Sequence, residues 1–134
     1  MKTNVELIST RVYAGRLKDR ENLNNSSSGG AFTALSDFFL KNGNAVVAAI
    51  YNYENHTTEF QMILDKDQRE RAKGSKYMQS KPGGIFREAY RWLMDNSGKK
   101  MLFVGMGCQS DGFRKFSEIK EIRDRVYIVD IICH

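Results

Sequence analysis

With 134 residues, 41% of them hydrophobic and 28% charged, the chain has the size and balance of one globular domain with its own core. The formal charge of +5 is spread among acids, as in Arg69-Glu-Arg-Ala-Lys73, which describes a solvated surface and argues against a nucleic-acid partner. No apolar run reaches the roughly 18 residues of a membrane span, no charged-then-apolar leader opens the chain, and two cysteines are too few for a secreted disulfide framework, so cytoplasmic residence is expected.

Val5 to Tyr13 mixes apolar and polar positions with β-branched residues and reads as a short strand or extended arm. Lys18 to Asn25 is polar and reads as loop. Asn24-Asn-Ser-Ser-Ser-Gly-Gly30 then precedes Ala31 to Leu40, where Ala31, Leu35 and Phe38–Phe39 recur at helical spacing and Gly43 stops the run. Serines and glycines at a helix N-terminus offer N–H groups and hydroxyls to an anion; the plainer reading is a serine N-cap after a flexible loop.

Ala45 to Tyr51 is a continuous apolar run, the mark of a strand buried on both faces. Thr58 to Leu64 alternates, with Asn52 to Thr57 as a hairpin turn that holds a surface histidine, His56. Asp65 to Lys73 is a charged helical connector. In Gly74-Ser-Lys-Tyr-Met-Gln-Ser80, Lys76 is a candidate point charge for a phosphate and Tyr77 a stacking platform. The stretch is not a Walker loop, because the spacing before Gly-Lys-Ser/Thr is absent.

Ile85 to Asp95 reads as a helix with Phe86, Ala89–Tyr90 and Leu93 on one face, closed by Asn96-Ser-Gly98. Trp92 and Met94 are core or partner-facing. Lys99 to Gly105 is a strand that runs into Gly105-Met-Gly-Cys-Gln109, and Gln109 to Phe116 is a short helix. A charged link, Glu118 to Arg125, leads to a closing buried strand, Val126 to Ile132. The fold expected is α/β, a mixed sheet flanked by helices, in a single domain over residues 1–134. The end at Cys133-His134, directly after an apolar run, suggests a piece of a longer protein.

Cys108 at a helix start is a candidate nucleophile, redox thiol or metal ligand. Cys133 ends a neighbouring strand, and with His134 the two cysteines make three zinc ligands; two buried structural cysteines are the plainer alternative. One cysteine pair does not complete a four-cysteine cluster, whose remaining ligands would lie outside the chain. The Gly105-Met-Gly107 turn lacks the third glycine of a dinucleotide fingerprint.

Five pieces stand in a telling order: Val12-Tyr-Ala with Lys18-Asp19, Ser26-Ser-Ser-Gly-Gly-Ala-Phe32, Gly74-Ser-Lys-Tyr-Met-Gln-Ser80, Leu102-Phe-Val-Gly-Met-Gly-Cys-Gln109 and Val129-Asp-Ile-Ile-Cys-His134. Together they resemble the coenzyme F-420 hydrogenase/dehydrogenase beta-subunit family over nearly the whole chain. The resemblance implies an iron–sulfur flavoprotein fragment in which electrons pass between a 4Fe-4S cluster, flavin adenine dinucleotide (FAD) and a deazaflavin or other two-electron acceptor. It implies FAD or phosphate contacts from Ser28, Gly29, Gly30, Gly74, Ser75, Lys76, Tyr77, Gly105 and Gln109, and redox or cluster roles for Cys108 and Cys133. The implied partners are the remainder of the parent protein or other redox subunits, with a homodimer over the apolar edge as a further arrangement.

Two departures stand out. The family has Gly-Thr-Pro-Cys-Gln where this chain has Gly105-Met-Gly-Cys-Gln109, and it continues with a glycine and a long further segment where this sequence stops at Cys133-His134; no Cys-x-x-Cys ferredoxin motif is present. They motivate a competing reading, a non-catalytic interaction or scaffold domain that retains the fold; Cys108, Cys133 and His134 motivate a third, a small zinc-binding module.

Overall fold

A computed structural model describes residues 11–132. Residues 5–10 of the expected N-terminal arm lie outside these, as do Cys133 and His134. Arg11 to Tyr13 carry no regular structure, and Val12 and Tyr13 are exposed.

The fold is α/β, built on one five-stranded mixed sheet. Its strands are β1 (Ala45–Asn52), β2 (Thr57–Ile63), β3 (Ser80–Lys81), β4 (Met101–Met106) and β5 (Val126–Ile131), in the order β3-β2-β1-β4-β5. The helices are α1 (Arg20–Asn24), α2 (Ala31–Lys41), α3 (Lys66–Ala72), α4 (Ile85–Asp95) and α5 (Gly107–Ile119). β1 pairs β2 antiparallel through the expected hairpin and β4 parallel; β4 pairs β5 parallel.

Alternation along β1 sends successive side chains to opposite faces. Val46, Ala48 and Ile50 pack with Phe39 of α2 and Ala72 of α3, together with Leu102 and Val104. Ala45 and Val47 pack on the other face with Ile85, Ala89 and Leu93 of α4, with Phe113 of α5, and with Met101 and Phe103. Phe60, Phe103 and Phe113 stack through that second layer at centroid spacings of 5.3 and 4.5 Å. The predicted apolar face of α4 is therefore the face it buries, while Trp92 packs against this core and Met94 is exposed.

Two arginines tie neighbouring elements together. Arg69, buried in α3, places Nη2 2.9 Å from Asp37 Oδ1 of α2, at ion-pair distance but without a hydrogen-bonding angle. Arg125 donates to the carbonyls of Leu93 and Asn96 at 2.7 Å and of Lys99 at 2.9 Å. It thereby fills the carbonyls left open at the end of α4.

Several expectations need correction. Lys18 to Asn25 is not all loop: Asp19 caps α1, its Oδ1 accepting from the Glu21 N–H at 3.0 Å. Ser80 and Lys81 form a short strand beside Thr58 and Glu59 of β2. The helix over Gln109 to Phe116 starts earlier and ends later, and the link after it holds a 3-10 turn at Arg123–Arg125. β5 is an edge strand and not a buried one. Val126 is buried, but Tyr127, Asp130 and Ile131 are exposed, because only β4 flanks the strand.

Candidate functional site

The topology gathers the glycine-rich turns on one side of the sheet. The carboxyl ends of β1, β4 and β5 lie at one edge, and antiparallel β2 begins there. α2 runs into the start of β1, so its N-terminus lies at that edge. α3 returns from the far end of β2, so its C-terminus and the Gly74 loop lie there too, beside the β4–α5 turn. Open α/β sheets place ligands along such an edge.

Side chains tie these turns together. Asn22 Oδ1 accepts from Lys73 Nζ at 3.3 Å, and the Asn22 carbonyl accepts from Ser26 Oγ at 2.6 Å, which joins the serine turn to the end of α3. Gln109 bridges a second pair of turns. Its Oε1 accepts from Met106 N–H at 3.1 Å and its Nε2 donates to the Ser80 carbonyl at 3.3 Å. This is half of a capping box, since Met106 has no oxygen to return the bond.

The predicted site residues separate by role. Ser28 is exposed in a left-handed conformation, φ 56°. Gly29 and Gly30 are packing glycines. A Cβ on Gly29 would lie 2.5 Å from the Gly15 carbonyl oxygen, and one on Gly30 (φ 76°) would collide with Leu17 Cδ1. The Gly29 carbonyl also accepts from Leu17 N–H at 2.9 Å. The cap of α2 is Gly30, which leaves the helix without a side-chain cap, and no serine fills that position. Gly105 is buried, and a Cβ there would press on Phe103 Cε1 at 2.9 Å.

Gly74 (φ 84°) faces open space, so its freedom serves the turn alone. Lys76 Nζ donates to the carbonyls of Ala72, Lys73 and Gly74. Burial brings its pKa down from 10.5 to about 8. Cys108 is exposed in the first turn of α5, which removes it from the buried structural role.

A cleft of about 290 Å³ opens beside this loop, lined by Tyr51, Tyr53, Arg71, Lys73, Ser75, Lys76, Tyr77 and Met78. Tyr51 and Tyr53 meet edge-to-face at 4.8 Å, Tyr51 OH lies 2.9 Å from His56 Nδ1, and Tyr77 is 96% exposed. Aromatic faces beside cations suit a planar anion. A larger hollow of about 600 Å³ runs along Arg16, Lys18 and Arg20; it has three exposed cations but no ring to stack on. Among the described residues, no group of three or more His, Cys, Asp or Glu is placed to hold a metal ion.

Of the predicted residues, the cleft brings together Ser75, Lys76 and Tyr77. Tyr51, Tyr53 and Arg71 were not among those predicted. Tyr51-Asn-Tyr53 at the end of a buried strand was the available signal: a strand with this burial ends in two large amphipathic rings at the carboxyl edge of the sheet.

A family model for the coenzyme F-420 hydrogenase/dehydrogenase beta subunit, N-terminal region, matches residues 12–83, more than half of the chain. The chain belongs to this family. The match spans the serine turn, both strands of the hairpin and the whole Gly74 loop. Among solved structures, the beta-subunit-family chain is similar to one from the F-420-reducing NiFe hydrogenase complex of Methanosarcina barkeri, with a TM-score of 0.72 and 23% identity. The likeness covers 88% of this chain and 42% of that one, so the present chain spans less than half the length of its structural neighbour. At that identity the likeness concerns the fold. No curated protein matches the chain. Among the described residues, no helix is long and apolar enough to cross a membrane.

Proposed function

We propose that this chain forms the flavin-contacting part of a redox subunit: a piece of a flavin-dependent, iron–sulfur-linked oxidoreductase that passes electrons between a cluster, FAD and a deazaflavin or other two-electron acceptor. The observation that carries this reading is the cleft at the carboxyl edge, where Tyr51, Tyr53 and Tyr77 stand beside Arg71. Those rings and that cation fit a planar, phosphate-bearing ligand. A bound flavin supplies the exchange between two-electron and one-electron chemistry. The chain supplies the stacking surface, the charge and the loop that bounds the site. Cys108 is the single cysteine among the described residues, so a 4Fe-4S cluster would draw further ligands from elsewhere. Its other redox partners would be subunits of the same kind of assembly.

The test is a titration of the chain with FAD, followed by quenching of flavin fluorescence, for the natural sequence and for Tyr77→Ala. Saturable binding, weakened several-fold by loss of the ring, is the expected result. Absence of saturable binding to the natural sequence would overturn the reading.

A further inference from the structure

Three cations border the cleft, and they differ in what they already hold. Lys76 donates to three carbonyls at the end of α3, two of them at 3.0 Å. An ammonium has three protons, so these acceptors use all of them. Its charge sits where the helix end is negative, which is the position a capping cation takes. Lys73 Nζ lies 2.8 Å from Glu70 Oε2 and 3.3 Å from Asn22 Oδ1, so it too is committed. Arg71 precedes both in sequence, is exposed, and has no ion pair or side-chain hydrogen bond among the described residues. Its planar fork of five N–H donors matches two phosphate oxygens at once, which a lysine does not.

We infer that Arg71 is the anion-holding residue of the cleft, and that Lys76 is a positioning residue that latches the Gly74 loop against the end of α3 without touching the ligand. The ligand class is a phosphate-bearing aromatic heterocycle. That it is a flavin rests on the function proposed above; the division of labour between the two cations rests on the bonds just described. The assignment reverses the expectation from sequence, in which Lys76 was the phosphate charge and Arg71 part of a solvated helix.

The experiment measures binding of FAD, flavin mononucleotide, riboflavin and ADP to the chain at low and moderate salt. Riboflavin lacks the phosphate and ADP lacks the flavin. Arg71→Ala is expected to weaken the three phosphate-bearing ligands about ten-fold, the loss of a charge-assisted contact, to leave riboflavin unchanged, and to flatten the salt dependence. Lys76→Met is expected to weaken riboflavin and FAD by the same factor, keep the natural salt dependence, and speed proteolysis within the loop. The reverse pattern, with Arg71→Ala silent and Lys76→Met selective for phosphate, overturns the assignment while leaving the flavin reading intact. Binding of ADP alone, weakened by Arg71→Ala, removes the flavin and keeps the assignment. Binding of none of the four removes both. Arg71 is exposed, so Arg71→Glu, expected to abolish the preference for phosphate-bearing ligands, decides the matter even where Lys76→Met fails to fold.

Discussion

Substituting Gly30 by alanine separates two reasons for a glycine in the Ser-Gly-Gly turn. The residue has φ 76°, where a side chain costs about 1–2 kcal/mol of backbone strain. Its new methyl would also collide with Leu17 Cδ1 and come to 2.9 Å from Leu17 Cγ. Overpacking of that kind costs about 1–3 kcal/mol, so the total is about 2–5 kcal/mol, a large share of the stability of a domain. Gly74 is the control: φ is 84°, yet nothing lies within 4 Å of a methyl placed there, so Gly74→Ala carries the strain alone. Urea unfolding of both variants gives the two midpoints at a common slope. The excess cost at Gly30 should largely disappear in Gly30→Ala/Leu17→Ala, because the two changes share one contact. Equal costs at Gly30 and Gly74 would refute the packing account and free Gly30 for a ligand.

Two further outcomes are expected. Gln109→Ala removes the bonds to Met106 N–H and the Ser80 carbonyl; it should cost about 1–3 kcal/mol in urea unfolding and speed alkylation of Cys108, and an unchanged alkylation rate would show that the turn holds without the bridge. For Lys76, the folded pKa of about 8 lies below the ordinary 10.5, so the unfolded chain binds more protons between those values and stability should rise with pH across that window. The whole depression corresponds to about 3 kcal/mol, which solvent screening at this part-exposed site reduces to about 1 kcal/mol. Tyr51, Tyr53 and Tyr77 face the same cleft as Arg71 and Lys73, and all five are common to the natural chain and the variant. The quantity to measure is therefore the difference in pH slope between the natural chain and Lys76→Met. Identical slopes would refute the prediction.

The elements with strong local signals were legible. Helix α4 has the predicted bounds because its apolar residues recur on one face and an Asn-Ser-Gly stop follows it. The β1–β2 hairpin was legible for the matching reason in strands. β5 was misjudged, since an apolar run reports β propensity but not whether a neighbour lies on each side; its burial depends on strand order, a property of the whole sheet. β3 has two residues, too few for a period, and exists because Thr58 and Glu59 are there to pair with it. At the site, the sequence marked loops that the fold gathers at one edge of the sheet, but it did not show what their glycines pack against. Gly29, Gly30 and Gly105 looked like ligand cradles, whereas the atoms that exclude a side chain there belong to Gly15, Leu17 and Phe103.

The role inferred for Lys76 has a physical origin that extends beyond one residue. A lysine among Gly, Ser and Tyr carries the same charge whether it meets a phosphate or the end of a helix, and composition alone does not tell the two apart. What decides is distance along the chain. Lys76 is four residues beyond Ala72, the last residue of α3, so a single turn of loop returns its Nζ to the open carbonyls. Arg71 is still within α3, where the helix fixes its direction and no neighbour among the described residues neutralises it. On the inferred division of roles, the helix carries the charge offered to the ligand, and the loop carries the charge that holds the loop itself. A binding site assembled in this way needs little rearrangement of its cation when a ligand arrives, because the ordering cost has already been met in the fold.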